Sequence, residues 1–335
     1  MRQKKRLLWR NWRLEIRDRA ISNLQSPNFQ SPMNLTIIGI GALGSLFAAR
    51  LYDVAPVTML GHWPEQITAV SQHGLTLIQP DGRRRTYPLP ITNNPADVPP
   101  ADLALILVKS CQTEQAAHLA QTVLKPDGLA LTLQNGLGNG EKLAAVLGQE
   151  RVIQSVTSEG AAMVAPGLVR HAGHGQTHLA EQPGGAPIVT LLRQAGFQVE
   201  SNRNVASLLW GKLVVNTAIN PLTAVLNVLN GYLAENEAAR DIMVAAARET
   251  ARVAAALGIR LPYPDAAQQA LSVAQATAVN HSSMLQDIRR GAPTEIEAIC
   301  GEVIRYGRLH AIPTPVNKAL YHLVRALENK KEHSP

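Results

Sequence analysis

The most constraining feature of this chain is a glycine string at the passage from an apolar strand into a helix. Gly39-Ile40-Gly41-Ala42-Leu43-Gly44 fits G-x-G-x-x-G. Apolar residues 35–38 precede it, a helix-compatible run 43–51 follows, and a second short apolar strand covers 57–60. Each glycine has a physical task in that setting. The first permits a tight turn, the second lets the backbone approach a pyrophosphate, and the third lets helix and strand pack closely; the helix N-terminus offers free N–H groups to the anion. A glycine-rich turn without a ligand is the alternative, and the strand–turn–helix context favours dinucleotide binding.

The remainder of the chain divides by pattern. Residues 102–108 and 129–133 are continuously apolar, as strands buried on both faces of a parallel sheet are. Between them a helical stretch, 112–124, is closed by Lys125-Pro126-Asp127-Gly128. After about residue 204 the strand signals stop, and Ala/Leu/Val-rich segments with helical spacing cover 205–229, 234–257, 265–288 and 294–309. The expected fold is α/β, an N-terminal Rossmann-like doubly wound sheet followed by an all-helical C-terminal domain. The polar stretch Asn202-Arg203-Asn204, after a last strand at 197–199, sets the expected boundaries: a basic extension 1–32 outside the fold, a nucleotide-binding domain 33–203 and a helical domain 204–330.

Composition excludes several function classes. The net charge of +7 is concentrated at the start of the chain, where Arg2, Lys4, Lys5, Arg6, Arg10, Arg13, Arg17 and Arg19 face only Glu15 and Asp18, so the body is close to neutral. With 4% aromatics and no basic stripe in the body, nucleic acid is not an expected partner. The apolar run Leu7-Leu8-Trp9 is cut off by Arg10, too short for a signal peptide; an organellar transit peptide is the alternative to a chain whose natural start is Met33. No stretch approaches the roughly 18 apolar residues of a membrane span. Cys111 and Cys300 are too few for a disulfide framework or a zinc site and point to a reducing, cytoplasmic location.

The end of the second strand, Met59-Leu60-Gly61-His62-Trp63, lacks the Asp or Glu that takes the ribose hydroxyl of NAD, and no Arg replaces it. NADP is favoured by the absence of repulsion; His62 is either a partial partner of the 2′-phosphate or an ordinary exposed histidine. Further along, Lys212, Asn216 and Asn220 are spaced i, i+4, i+8 and share one helix face among apolar neighbours. They line either a polar cleft or a seam satisfied between helices, and Pro221, whose ring removes the hydrogen bond to the Thr217 carbonyl, is expected to kink the helix beside them. Asn280-His281-Ser282-Ser283 can bind a carboxylate or cap a helix. Thr294 and Glu297 have capping-box spacing, which places Glu295 in a first helical turn.

Six ordered stretches together resemble the ketopantoate reductase family (2-dehydropantoate 2-reductase): Ile38-Gly39-Ile40-Gly41-Ala42-Leu43-Gly44, Gln134-Asn135-Gly136-Leu137-Gly138, Leu209-Trp210-Gly211-Lys212-Leu213-Val214-Val215-Asn216, Ile219-Asn220-Pro221-Leu222-Thr223-Ala224, Ser282-Ser283-Met284-Leu285-Gln286-Asp287 and Thr294-Glu295-Ile296. The resemblance spans nearly everything from Met33 to about residue 325. It implies reduction of 2-dehydropantoate to (R)-pantoate, on the route to pantothenate and coenzyme A, with hydride from nicotinamide C4 of NADPH and Lys212 as general acid. It further implies that Asn135, Asn216, Asn220, Asn230, Asn280, His281, Ser282 and Ser283 bind substrate. Gly39 to Gly44, Lys109, Asn135 and Glu295 are implied to serve the cofactor, Glu295 also lying in the catalytic centre. Where the family commonly has Arg after the second strand, this chain has Gly61-His62, so NAD stays open beside NADP. Arg83-Arg84-Arg85 reads as a solvated turn and strand. Two other readings stand beside this one: a related reductase of another 2-keto acid, and a non-enzymatic dinucleotide sensor. The apolar helices suit a homodimer or a monomer core equally.

Overall fold

The computed structural model describes residues 33–330, so the basic extension 1–32 and the expectations attached to it lie outside the described residues. The first crossover is as read from the sequence: β1 (Leu35–Ile38), α1 (Ala42–Leu51) and β2 (Val57–Leu60). Then follow α2 (Pro64–His73), β3 (Leu75–Ile78), β4 (Arg84–Tyr87), β5 (Ile91–Thr92), β6 (Ala101–Ile106), α3 (Thr113–Val123), β7 (Leu124–Thr132), α4 (Asn139–Leu147) and β8 (Val152–Thr157). A hairpin of β9 (Gly160–Ala165) and β10 (Leu168–Gly173) leads to β11 (Gln176–Ala180), α5 (Gly185–Gln194) and β12 (Gln198–Asn202).

Eight strands form one sheet in the order β12-β11-β8-β7-β6-β1-β2-β5, parallel throughout except for β8 with β11. The chain leaves β1 toward β2 and later returns on its other side as β6. This reversal opens a crevice at the carboxyl ends of the strands, the place where open α/β sheets bind ligands. Alternation along the strands fills both faces: Ile37, Met59, Leu103 and Leu105 join one core with Phe47 and Leu192, while Ile38, Leu60, Ala104 and Ile106 join another with Ala117 and Leu143. Phe47 stacks on Phe197 with ring centres 4.3 Å apart.

Some sequence expectations need correction. Helix α3 ends at Val123, as expected of the stretch 112–124, but Lys125-Pro126-Asp127-Gly128 is not a loop outside the sheet; it is taken into β7 as an irregularity. Ala101 pairs with Leu124 and Leu103 with Leu129, so the extra residues bulge out of register. A second sheet, β4-β3-β10-β9, gave no clear signal, because its strands are short and half-exposed. Arg83 and Arg85 are surface residues there, each paired with an aspartate, Asp81 and Asp53.

The second half is helical: α6 (Val205–Leu226), a short α7 (Tyr232–Glu235), α8 (Glu237–Ala256), α9 (Ala266–Ala276), α10 (Ser283–Arg290), a π-helical turn Glu297–Gly301, α11 (Glu302–Leu309) and α12 (Pro315–Asn329). The expected helix 265–288 is two helices. Thr277 turns its hydroxyl back to the Val273 carbonyl, and Ser282 starts a new helix by accepting from the Leu285 N–H, so short polar side chains win the backbone from the helix. The capping box at 294–297 does not form. Glu328 of α12 accepts from the Thr294 N–H, leaving Glu297 to accept from the Tyr321 hydroxyl. The core around α6 is anchored by Trp210, 1% exposed and edge-on to Tyr306. Buried Glu249 on α8 accepts from the Val316 and Asn317 N–H groups and so supplies the N-terminal cap of α12.

Candidate active site

The glycine loop is built as its spacing requires. Gly39 has φ +114°, and a Cβ on it would lie 2.5 Å from the Leu107 carbonyl carbon. One on Gly44 would lie 1.8 Å from the Gly39 oxygen. Gly41 differs: a Cβ there would meet nothing within 4 Å, and the start of α1 has no side-chain cap. An open approach to uncapped backbone N–H groups fits a dinucleotide pyrophosphate. At the end of β2, a Cβ on Gly61 would sit 2.7 Å from Ile40 Cγ1, so the position that ordinarily carries a ribose-binding carboxylate is closed by the loop itself. His62 beside it is exposed.

In the helical half, α6 presents Lys212. The preceding Gly211 lets Pro262 approach to where its Cβ would be 2.7 Å away, and the Tyr263 hydroxyl donates to the Gly211 carbonyl at 2.8 Å. This packing holds one end of the lysine's helix turn. The Lys212 ammonium donates to Asn135 Oδ1 at 2.8 Å and to the Thr157 carbonyl at 2.6 Å. Asn135 Nδ2 in turn donates to Glu295 Oε2 at 2.9 Å, and Glu295 is buried. Burial lowers the Lys212 pKa to about 8, and the Glu295 carboxylate opposes that fall. An ammonium has three donors, so one remains uncommitted among the described residues.

Asn135 is fixed by its own loop. Asn139 Nδ2 donates to the Asn135 carbonyl, Thr113 donates to Asn139, and Gln134 Nε2 donates to Thr113 and to the Val108 carbonyl. Gly136, at φ +80°, lets Ala298 of the π-helical turn come so close that a Cβ would lie 2.4 Å from its carbonyl oxygen. The Leu137 N–H donates to that same carbonyl. The loop after β7 and the turn after Glu295 are thus locked together.

Asn216 and Asn220 share the half-buried face of α6 with Lys212, and neither side chain makes a hydrogen bond among the described residues. The ladder is therefore not a seam satisfied between helices, and its half-exposed amides are free to meet a ligand. Thr223, one turn further, bonds to the Asn220 carbonyl and to Ser282 Oγ, which brings the 280–283 stretch to the ladder's end. Within it, Ser282 is buried and acts as a helix cap, while Asn280, His281 and Ser283 are exposed. Asn230 is buried and donates to Thr277, with its Oδ1 unpartnered. Lys109 reaches Asp287 on α10 at 2.5 Å, and Arg290 takes that carboxylate's other oxygen.

Thr157, Asn139 and Thr113 escaped sequence reasoning, and Gln134 was quoted in a motif without a role. The first acts through its main chain, which leaves no side-chain signal, and the others support Asn135 from behind. Asp287 lay within a quoted motif without a role.

Residues 35–184 match the sequence family described as Ketopantoate reductase PanE/ApbA, and residues 204–328 match Ketopantoate reductase PanE/ApbA C terminal. A 2-dehydropantoate 2-reductase of Halobacterium salinarum is 37% identical over 300 residues, 88% of this chain and 98% of that protein. The crystal structure of a PanE/ApbA family ketopantoate reductase from Ralstonia eutropha JMP134 superposes with a TM-score of 0.85 at 32% identity, covering 90% of this chain and 100% of the other. A D-mandelate dehydrogenase in a ternary structure with NADH and anilino(oxo)acetate superposes with a TM-score of 0.83 at 25% identity, over 90% and 100% of the two chains.

Proposed function

The chain belongs to the ketopantoate reductase family, and within it we propose that this protein reduces the ketone of 2-dehydropantoate to (R)-pantoate with NADPH in the cytoplasm. The observation that carries the reading is the hydrogen-bonded chain Lys212–Asn135–Glu295, drawn from three distant segments to the edge of the sheet. Residues 33–203 hold the dinucleotide and residues 204–330 the substrate.

The bound nicotinamide would supply the hydride; the protein supplies the proton and the field. Negative charge grows on the ketone oxygen as reduction proceeds, and the uncommitted Lys212 donor stabilises it and then transfers its proton from Nζ. Asn135 and the Thr157 carbonyl hold the ammonium in place. Glu295 keeps the lysine protonated near neutral pH against the pull of burial. Asn216 and Asn220, with unspent amides, bind the substrate's polar groups, and Asn280, His281 and Ser283 extend that surface toward its carboxylate. Ser282 and Asn230 shape this end of the cleft while their side chains bond within the protein. The loop 39–44 holds the pyrophosphate, and Lys109 stands at the adjacent strand end, available to cofactor once released from Asp287.

Initial rates with 2-dehydropantoate and a panel of other 2-keto acids, with NADPH and NADH in parallel, test the proposal. The expected result is by far the highest kcat/KM for 2-dehydropantoate with NADPH. A second reading, reduction of a different 2-keto acid with NADH, is favoured by Gly61-His62 and by the likeness to D-mandelate dehydrogenase with NADH. The same panel would reveal it. Nucleotide binding without turnover of any 2-keto acid would replace both with a sensor.

A further inference from the structure

Away from the Lys212 chain, Glu159, His171 and His174 bring their ligand atoms within 4.8 Å of one another. His171 lies in β10 and His174 just beyond it. In a regular strand residues three apart point to opposite faces. Here the pairing of β10 with β9 slips between His171 and Gly173, and the two imidazoles meet edge to face with ring centres 4.2 Å apart. Glu159 is delivered from the other side, between β8 and β9. Gly175 allows this approach, since a Cβ on it would lie 2.2 Å from the Ser158 carbonyl carbon.

The cluster is largely buried and incompletely satisfied. His171 Nε2 and Glu159 Oε2 lie 2.7 Å apart with both side chains essentially buried. Glu159 Oε1 and His171 Nδ1 are buried with no hydrogen-bond partner among the described residues. A buried polar atom left unpaired costs about 1–3 kcal/mol. His174 is exposed and opens the cluster to solvent. We propose that Glu159, His171 and His174 form a site for a divalent transition-metal ion of the zinc class. Two imidazoles and one carboxylate leave a fourth position open, a donor set suited to zinc. At zinc–ligand distances of about 2.0–2.1 Å, adjacent ligand atoms sit roughly 3.3 Å apart, so Glu159 and His171 separate by about half an ångström on binding. Glu159 follows by two residues the carbonyl that receives Lys212, so the ion fastens the strand end that positions the lysine. Its role is structural, and the proposal does not depend on the identity of the substrate.

The test uses the full chain, stripped with chelator, desalted, loaded with zinc and passed through gel filtration before metal analysis. Wild type is expected to retain one zinc per chain and to melt at a higher temperature when loaded. His174→Ala, at an exposed position, should fold as the stripped wild type does, bind zinc at least about tenfold more weakly and lose the thermal gain. Glu159→Gln should behave likewise, and cobalt substitution should give the visible bands of a four-coordinate ion in wild type alone. Absence of retained zinc in wild type, or equal retention in both variants, overturns the site and leaves a buried carboxylate–imidazole pair.

Discussion

The two ends of the cleft are made by opposite means. At the nucleotide end the work is done by missing atoms: Gly39 and Gly44 exist so that backbones can touch, and Gly41 so that nothing stands above it. At the other end the work is done by side chains wired in series, Lys212 to Asn135 to Glu295, each from a different part of the chain. A site built from absences is local and fails on any loss of space. A wired site is global and tolerates any change that preserves its contacts.

The sharpest break between the two ends is Lys212→Ala. It should lower kcat about 10³-fold, the scale of a lost general acid and charge stabiliser, while leaving NADPH affinity measured by fluorescence titration unchanged. Within the glycine loop a pair of substitutions separates space for folding from space for ligand. Gly44→Ala forces a carbon into the Gly39 carbonyl and should cost roughly 3 kcal/mol in denaturant unfolding. Gly41→Ala, facing open space, should leave stability intact and weaken nucleotide binding about tenfold. Asn216→Ala should raise KM about tenfold with a smaller change in kcat if its amide binds substrate as proposed, since it holds no other part of the fold among the described residues.

Smaller in amplitude is the pH dependence. Lys212 must be protonated to donate, and burial lowers its pKa to about 8. The kcat/KM for reduction is therefore level below that pH and falls about tenfold per unit above it. Glu295→Gln removes the charge that opposes the fall, so the descending limb should move to lower pH. An unmoved limb would mean that the carboxylate does not sense the lysine. Smallest of all, His62→Arg should shift cofactor preference a few-fold toward NADPH.

The same contrast explains what could be read in advance. The strand–glycine–helix unit is contiguous, and residues 35–38 and 57–60 form strands over the expected spans. The polar ladder was visible in the i, i+4, i+8 spacing of Lys212, Asn216 and Asn220, but its direction was not. Cleft and seam differ only in whether the amides have partners, and that depends on other helices. The break at 277–282 was hidden because Asn280 to Ser283 suit a cap, a helix surface or a ligand site equally until Thr223 is placed against Ser282. The failed capping box has a similar cause: Glu328, thirty-four residues from Thr294, arrives with α12, a helix outside the expected segments.

One of the two groups that hold the Lys212 ammonium is the main-chain carbonyl of Thr157. No exchange of side chain deletes that acceptor. A saturation mutagenesis of position 157 would register the hydroxyl's bonds to Thr177 and to the Glu159 N–H, and half of the lysine's anchorage would stay invisible to it. Replacing the amide that follows Thr157 by an ester weakens the carbonyl as an acceptor without altering any side chain, and it would expose that anchorage once the loss of the Ser158 N–H bond to the Gln176 carbonyl is allowed for.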